Sequence, residues 1–224
     1  MNSYLILLSR DVLAYRKTAR TEARKAETRR RLLDVARNLV AEGSFKDIQI
    51  ASVAATAGVA TGTVYRYFPS KTDLCVEVFR SVCDREVQVA QEIAAGGGPA
   101  ADRLVDCVRA VAGRAIRGRK TAYALIAEPV DPALDAERLV YRRALAKVFE
   151  GILRDGIRAG SLPNQDAETA AACIVGAVME SLVNPLAPDA RDRINGADTL
   201  LDIVARFCLQ AVGLVRRDGT AGPA

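Results

Sequence analysis

Apolar residues along this chain recur every three or four positions, the spacing that places them on one face of an α-helix. Leu32, Val35, Ala36, Leu39 and Val40 form the first such stripe. The alternation of every second residue that marks a β-strand is not sustained anywhere along the sequence. The pattern predicts an all-α fold of about nine helices, over residues 24–42, 50–57, 61–67, 70–94, 101–116, 122–127, 133–159, from a cap at Asn164 to 183, and 197–215.

Helix breakers and caps support these boundaries. Gly43 is placed to end the first helix, and the run from Gly96 to Pro99 marks a loop. Ser70 and Asp73 have the spacing of an N-terminal capping pair for the helix that follows. The Asn184-Pro185 pair is predicted to break the eighth helix, because proline cannot donate the backbone hydrogen bond that a helix needs.

Residues 50–68 have the spacing of a helix-turn-helix. Ala54 is small where the second helix must cross the first, and Gly58, four residues later, tolerates a left-handed turn. Val59, Val64 and Phe68 are predicted to hold the second helix down. What remains on that helix is small or able to form hydrogen bonds, as contact with a DNA major groove requires: Thr61, Gly62, Thr63, Tyr65 and Arg66.

Charge is distributed unevenly between the two ends of the chain. Residues 1–80 hold 14 Lys and Arg against 8 Asp and Glu, a net of +6, whereas residues 81–224 hold 18 against 19, a net of −1. Such asymmetry suggests that the first third meets a polyanion. Because basic residues surround few apolar ones at the very start, residues 1–22 are predicted to be a disordered basic arm.

Composition argues against several classes of protein. Histidine is absent, which removes the usual general base and the commonest metal ligand. The sequence shows no metal-ligand spacing, so neither a metal nor a cofactor is expected. The five cysteines are scattered and are expected to be reduced and mostly buried. No apolar run approaches the length that spans a bilayer, so we expect a cytoplasmic protein with no membrane partner.

Together with the preceding RRLLDVARNLVAEGSF, the stretch IASVAATAGVATGTVYRYFPSKTDL resembles the DNA-binding signature of the TetR family of bacterial regulators. The match covers about residues 28–79. The resemblance implies a helix-turn-helix DNA-binding domain over residues 23–69, with Thr61 as the main base reader. The residue pattern and the resemblance together predict that double-stranded DNA is contacted by Arg24, Arg29, Arg30, Thr61, Gly62, Thr63, Tyr65, Arg66, Tyr67 and Lys71.

Two positions depart from the family pattern. Members usually have Ser or Thr at the start of the second helix, where this chain has Ile48 and Gln49. They usually cap the recognition helix with Ser, whereas this chain has Ala60, which caps poorly at a cost of roughly 1 kcal/mol. Two alternatives therefore stay open: Thr61 either reads a base or caps the helix, and Tyr67 either binds a phosphate or serves as a core aromatic.

Residues 70–216 are predicted to form a helical ligand-binding and dimerisation bundle, followed by a flexible tail over residues 217–224. The last two helices are apolar and rich in small residues, so they are expected either to form a homodimer interface or simply to belong to the core. The resemblance implies a pocket for a small effector, expected to be apolar or amphipathic. The candidates for contact with it are Cys107, Tyr123, Glu128, Tyr141, Phe149, Cys173, Met179 and Glu180.

The resemblance implies a ligand-responsive transcriptional repressor that a small effector releases from a palindromic operator. Two other classes of protein remain open. A helical enzyme or small-molecule carrier would lose its activity through changes in the pocket and keep it after Thr61→Ala or Tyr65→Ala. A general DNA-compacting protein would bind with weak sequence preference, and its positive charge should cover more than one end.

Overall fold

The computed structural model describes residues 4–190 and 197–214, and this part of the chain forms nine α-helices and no strand. The predicted all-α fold of about nine helices is therefore confirmed. The helices are α1 (Tyr4–Glu42), α2 (Ile50–Thr56), α3 (Thr61–Tyr67), α4 (Lys71–Ala94), α5 (Ala100–Arg117), α6 (Arg119–Ile126), α7 (Pro132–Arg158), α8 (Ala167–Leu186) and α9 (Ala197–Ala211).

The first helix begins far earlier than the sequence pattern predicts. Residues 4–22, for which we expected a disordered arm, are helical and continue directly into the predicted helix. No glycine or proline lies between Tyr4 and Glu42, and the many Ala, Leu, Arg and Lys residues favour a helix, so nothing stops its propagation. The end of the last helix at residue 215 and the tail over 217–224 were also predicted; both lie outside the described residues.

Helix α8 differs from its prediction at both ends. Its cap is Asp166 rather than Asn164, because the Asp166 carboxylate accepts a 2.6 Å hydrogen bond from the backbone N–H of Thr169. Pro185 lies inside the last turn, where a missing N–H removes only one helical bond, so the predicted break at Asn184-Pro185 is wrong. The helix also has the length and apolarity of a membrane span, which we did not anticipate. Its buried residues, among them Ile174 and Leu182, belong to a core inside the protein.

Two hydrophobic cores organise the molecule. The head core joins the second half of α1 to α2, α3 and the first half of α4, and it includes Leu32, Val64 and Phe68. The sensor core joins α5, α7, α8 and α9 and includes Phe149 and Leu182. We refer to α1–α3 as the head and to α5–α9 as the sensor. Both α6 and the start of α7 also reach the head core, through Ala124, Leu125 and Leu134.

Helix α4 passes from one core into the other. Leu74, Val78 and Cys83 are buried in the head core, whereas Ala90, two turns further along, is buried in the sensor core. Its start is fixed as predicted, because the Ser70 hydroxyl accepts a 3.0 Å hydrogen bond from the backbone N–H of Asp73. A single continuous helix therefore links the two cores.

Candidate functional site

The helix-turn-helix is built from the residues that the sequence singled out. Ala54 is buried where α2 meets α3, and Gly58 adopts a φ of +66°, the left-handed conformation that glycine accepts without strain. Val64 and Phe68 are buried on the inner side of α3. The turn is closed by a 3.0 Å hydrogen bond from the Val59 N–H to the Ala54 carbonyl oxygen.

The outer side of α3 is open to solvent. Thr61, Gly62 and Arg66 are exposed, Thr63 is half-buried, and Tyr65 exposes 49% of its surface although it is a large aromatic residue. A methyl group added at Gly62 would meet nothing within 4 Å, so no internal contact requires glycine there. This side therefore presents threonines, a tyrosine and an arginine outward, with room for a close approach at Gly62.

The structure distinguishes the two alternatives for Thr61. The N-cap of α3 is Ala60, which makes no side-chain cap hydrogen bond. The Thr61 hydroxyl forms no hydrogen bond with any part of the chain that the structure describes, so it does not replace the missing cap.

Tyr67 is half-buried and packs against the head core, which agrees with a core aromatic whose hydroxyl can still point outward.

The basic residues predicted to meet DNA have different surroundings. Arg24 is exposed, and Arg30 pairs with Glu27 on its own helix. Arg29 donates a 2.8 Å hydrogen bond to Glu77 of α4, and its guanidinium lies 5.2 Å from the ring centroid of Phe68. Arg29 therefore joins the head to α4, and contact with a phosphate would compete with that role.

Lys71 also has an internal partner. Its ammonium donates a 2.9 Å hydrogen bond to the backbone oxygen of Lys46, which ties the start of α4 to the turn after α1. An ammonium carries three donors, so a phosphate could still be bound. Lys46 itself is exposed.

Three ion pairs fix α4 to its neighbours. Besides the pair of Arg29 with Glu77, Arg80 donates two hydrogen bonds, of 2.9 and 2.7 Å, to Glu137 of α7. Arg114 of α5 donates two more to Glu86, from Nε to Oε2 at 2.6 Å and from Nη2 to Oε1 at 2.7 Å. Each pair connects α4 to a different helix, so α4 is attached to α1, α7 and α5.

A cavity of about 90 Å³ lies behind α4, between α5, α6, α7 and α8. Two of the residues predicted to contact an effector, Tyr141 and Met179, line it. Glu86 and Arg114 also line it and were missed, although each continues an apolar helical stripe, four residues after Val82 and three after Val111. The full lining is Val82, Glu86, Val111, Arg114, Ala115, Gly118, Thr121, Ala122, Leu125, Ile126, Tyr141, Met179 and Leu182.

Six of the predicted effector residues lie elsewhere. Cys107 and Phe149 are fully buried in the sensor core and do not line the cavity, because their helical positions face other helices. Cys173 and Glu180 are exposed on the outer side of α8. Tyr123, on α6, and Glu128, which follows that helix, line a different cleft of about 530 Å³ between the turn after α1 and the sensor.

Three polar residues, Glu86, Arg114 and Tyr141, form one corner of the cavity, and their charges and burial determine its chemistry. Burial raises the pKa of Tyr141, although the positive charge of Arg114 acts in the opposite direction, so its hydroxyl stays protonated. The hydrogen bonds to Glu86 raise the pKa of Arg114. The corner therefore combines a guanidinium, a carboxylate and a neutral phenol beside apolar walls.

Four of the five cysteines are buried as expected, and Cys173 is the exposed one. Burial raises the pKa of the Cys75 thiol to about 11 and that of Cys107 to about 12. These thiols therefore stay protonated at neutral pH and act as small apolar residues.

Comparisons with known proteins follow the division into head and sensor. The sequence profile described as bacterial regulatory proteins of the tetR family matches residues 32–78. A second profile, described as the tetracyclin repressor-like C-terminal domain, matches residues 97–182. The chain belongs to the TetR family. The resemblance predicted from the sequence is thus confirmed, and the second profile extends it from the DNA-binding end of this TetR-family chain into the sensor.

Individual relatives match smaller parts of the chain. The HTH-type transcriptional repressor KstR of Mycolicibacterium smegmatis is 37% identical over 78 residues, which are 35% of this chain and only 38% of that protein. KstR2 of Rhodococcus jostii, also an HTH-type transcriptional repressor, is 28% identical over 141 residues, 61% of this chain and 69% of that protein. The chain therefore spans well under half of the first relative and about two thirds of the second.

Solved structures share the fold over most of the chain. The transcriptional regulator FadR from Bacillus subtilis, in complex with stearoyl-CoA, superposes with a TM-score of 0.65 at 21% identity. The match covers 78% of this chain and 96% of that one. At this identity the likeness concerns the TetR-family fold alone.

Proposed function

We propose that this protein is a cytoplasmic, ligand-responsive repressor that binds a palindromic DNA operator as a homodimer and leaves it when a small apolar or amphipathic effector enters the sensor. The observation that carries the proposal is the solvent-exposed side of α3, held in place by a buried inner side. A rigid helix with outward hydrogen-bonding groups is what major-groove recognition requires.

Contact with DNA is supported by the chemistry of the exposed residues. The Thr61 hydroxyl has no hydrogen-bond partner among the described residues, Gly62 leaves room for a backbone to approach, and Tyr65 and Arg66 extend into solvent. Arg24 adds an exposed positive charge on α1. In this proposal Thr61 reads base edges, whereas Tyr65, Arg66, Tyr67 and the basic residues hold phosphates.

Dimerisation through α8 and α9 is supported by exposed apolar and small residues. Ile203 and Phe207 lie one turn apart on α9 and are both more than half exposed. On α8, Ala172 and Gly176 are exposed at the same spacing, and a methyl group added at Gly176 would meet nothing within 4 Å. A symmetric pair of such faces would set two α3 helices about one DNA turn apart.

Effector control is supported by the position of the cavity. It lies between α4 and the sensor, and one of its lining residues, Leu125, also belongs to the head core. The relative FadR was solved with stearoyl-CoA, an amphipathic molecule, which agrees with the class of effector proposed here. An occupant would shift α4 relative to the sensor and so change the spacing of the two heads.

The test is footprinting and electrophoretic mobility shift on DNA from upstream of the protein's own gene. We expect a protected palindrome and nanomolar affinity that falls steeply with salt. Thr61→Ala and Tyr65→Ala should each weaken operator binding by about tenfold to a hundredfold. Gln91→Ala, an exposed polar residue at the far end of α4, is the matched control and should bind like the unaltered protein. Sequence-blind binding, or equal effects of all three substitutions, would contradict the proposal.

A further inference from the structure

The ion pair between Glu86 and Arg114 occupies a special position on α4. The buried residues of α4 up to Cys83 belong to the head core, Ala90 is buried in the sensor core, and Glu86 lies between them along the helix. Arg114 holds it through two hydrogen bonds from α5, and both residues line the cavity. The pair therefore joins α4 to the sensor at the point where α4 passes from one core to the other.

The same corner has unused hydrogen-bond donors. A guanidinium carries five N–H donors, and Glu86 takes one from Nε and one from Nη2. The Tyr141 hydroxyl, on the opposite helix of the cavity, forms no hydrogen bond with the described residues, and burial keeps it protonated. Each carboxylate oxygen of Glu86 already accepts one hydrogen bond from Arg114, so about half of its acceptor sites are occupied. The corner therefore has more free donors for an anion, from Arg114 and Tyr141, than free acceptors for a cation.

We propose that the effector is an amphipathic anion whose apolar part fills the cavity and whose carboxylate takes Arg114 from Glu86, which breaks the ion pair that joins α4 to α5 beside the cavity. This inference rests on the proposed function and specifies the effector's chemistry. A carboxylate suits the site because it has the same geometry as the Glu86 side chain that it replaces and binds a guanidinium through two parallel bonds.

Because the cavity is small, the effector cannot enter it without moving the helices around it, so effector binding and the displacement of α4 occur together. About 90 Å³ is far below the 300–1,000 Å³ of ordinary ligand pockets, so an occupant must push the surrounding helices apart. Val82 and Glu86 form the α4 wall, while Leu125 and Tyr141 lie on α6 and α7. Once Glu86 has lost Arg114, the side-chain hydrogen bonds that remain between α4 and the sensor include those of Arg80 with Glu137, before Glu86 along the helix, and of Arg103 with the Ala94 carbonyl oxygen, after it.

Three probes of equal chain length test the headgroup. Octanoate, octan-1-ol and octylamine are titrated calorimetrically into the full-length protein without DNA. We expect octanoate to bind at least about tenfold more tightly than the other two, as a charge-assisted bidentate contact predicts. Arg114→Gln should remove this preference. Glu86→Gln should strengthen octanoate binding by about threefold or more, because the competing carboxylate is gone. Circular dichroism checks that each variant is folded.

The matched control is Glu137→Gln, which removes the partner of Arg80 in the other bidentate pair of α4, away from the cavity lining. It should leave the order of the three probes unchanged. If Arg114→Gln does not fold, the Glu86→Gln result decides, since that variant keeps Arg114. Equal binding of octanoate and octanol, a preference for octylamine, no binding of any probe, or weaker octanoate binding by Glu86→Gln would each overturn the proposal.

Failure of this inference can be separated from failure of the proposed function. The titration contains no DNA, so a carboxylate preference in a protein that recognises no operator would overturn the repressor proposal and support the headgroup assignment. Release of the operator by octanoate and octanol at equal concentrations would support the repressor proposal and overturn the headgroup assignment.

Discussion

The head core and the sensor core are filled differently. Phe45, Phe68 and Phe79 occupy the head core, where the rings of Phe45 and Phe79 lie 6.1 Å apart and Arg29 covers Phe68. The sensor core contains one buried phenylalanine, Phe149, among many Ala, Val and Leu side chains, and a cavity adjoins it. Large interlocked aromatic side chains resist deformation, whereas helices around a cavity can be pushed apart. When an effector binds, we therefore expect the sensor to change shape and the head to change position.

The largest expected effect is on the stability of the protein, and it tests how closely the side chains of the head core are packed. Phe68→Ala should lower the free energy of unfolding by about 3–5 kcal/mol, because a fully buried aromatic ring leaves a cavity that rigid neighbours cannot fill. Urea unfolding followed by circular dichroism, at one fixed protein concentration, measures it. Tyr65→Ala, which removes a half-exposed ring from the same helix, is the control and should change stability by less than about 1 kcal/mol. Similar losses in the two variants would mean that the head core is not closely filled.

The helix-turn-helix within the head was also the part that the sequence predicted best, and the reason is the range of the contacts. Ala54, Gly58, Val64 and Phe68 interact within less than twenty residues, so their spacing fixes their geometry. The pairing of Arg29 could not be predicted in this way, because its partner Glu77 lies on another helix and no local sequence pattern links the two.

The sensor was predicted less well because its site depends on how distant helices pack. Periodicity indicated which residues of α7 and α8 are apolar, and two of the effector candidates chosen with its help, Tyr141 and Met179, line the cavity. It could not indicate that Glu180 faces outward while Met179 faces the cavity, since both lie in one apolar segment. The pairing of Glu86 with Arg114 spans 28 residues and requires the crossing of α4 and α5.

The second prediction concerns the outer surfaces of the two regions. Among the described residues, Phe207 on α9 exposes 56% of its surface, as does Leu139 on α7. If α9 forms the dimer face, Phe207→Asp should raise the dimer dissociation constant by about thirtyfold or more, since a buried aromatic at an interface typically contributes about 2 kcal/mol. Analytical ultracentrifugation measures it. Leu139→Asp, equally exposed but outside that face, should leave the dimer intact. Dissociation by Leu139→Asp alone would place the interface on α7.

The third prediction concerns a substitution that fills part of the cavity between α4 and the sensor. Ala115→Leu adds apolar volume at the cavity wall and should raise the effector concentration needed for operator release by about tenfold, with little effect on operator affinity. Fluorescence anisotropy of labelled operator DNA during an effector titration measures both quantities. Ala136→Leu, on an exposed position of α7, is the control and should respond normally. Unaltered release in Ala115→Leu would mean that the effector binds elsewhere, with the 530 Å³ cleft beside Tyr123 as the next place to examine.

The smallest expected effect concerns the ion pair that holds α4 to α7. Hydrogen bonds from Arg80 lower the pKa of Glu137 below its ordinary value of 4.5, so the folded protein keeps this carboxylate ionised to lower pH than the unfolded chain does. Its contribution to stability is complete above pH 4.5 and is lost as the pH falls through the folded value. Because Arg80 is half exposed, the contribution is at most about 1 kcal/mol.

Glu137→Gln should therefore be less stable than the unaltered protein near neutral pH, and the difference should shrink as the pH falls below 4.5. Urea unfolding at a series of pH values measures it. Glu22→Gln, which removes an exposed partner of Lys25 within α1, is the control and should show almost no difference at any pH. A difference for Glu137→Gln that stays constant with pH would mean that the side chain acts through packing rather than charge. The attachment of α4 to the sensor would then depend on the pair of Glu86 with Arg114, on the hydrogen bond from Arg103 to the Ala94 carbonyl oxygen, and on apolar contacts.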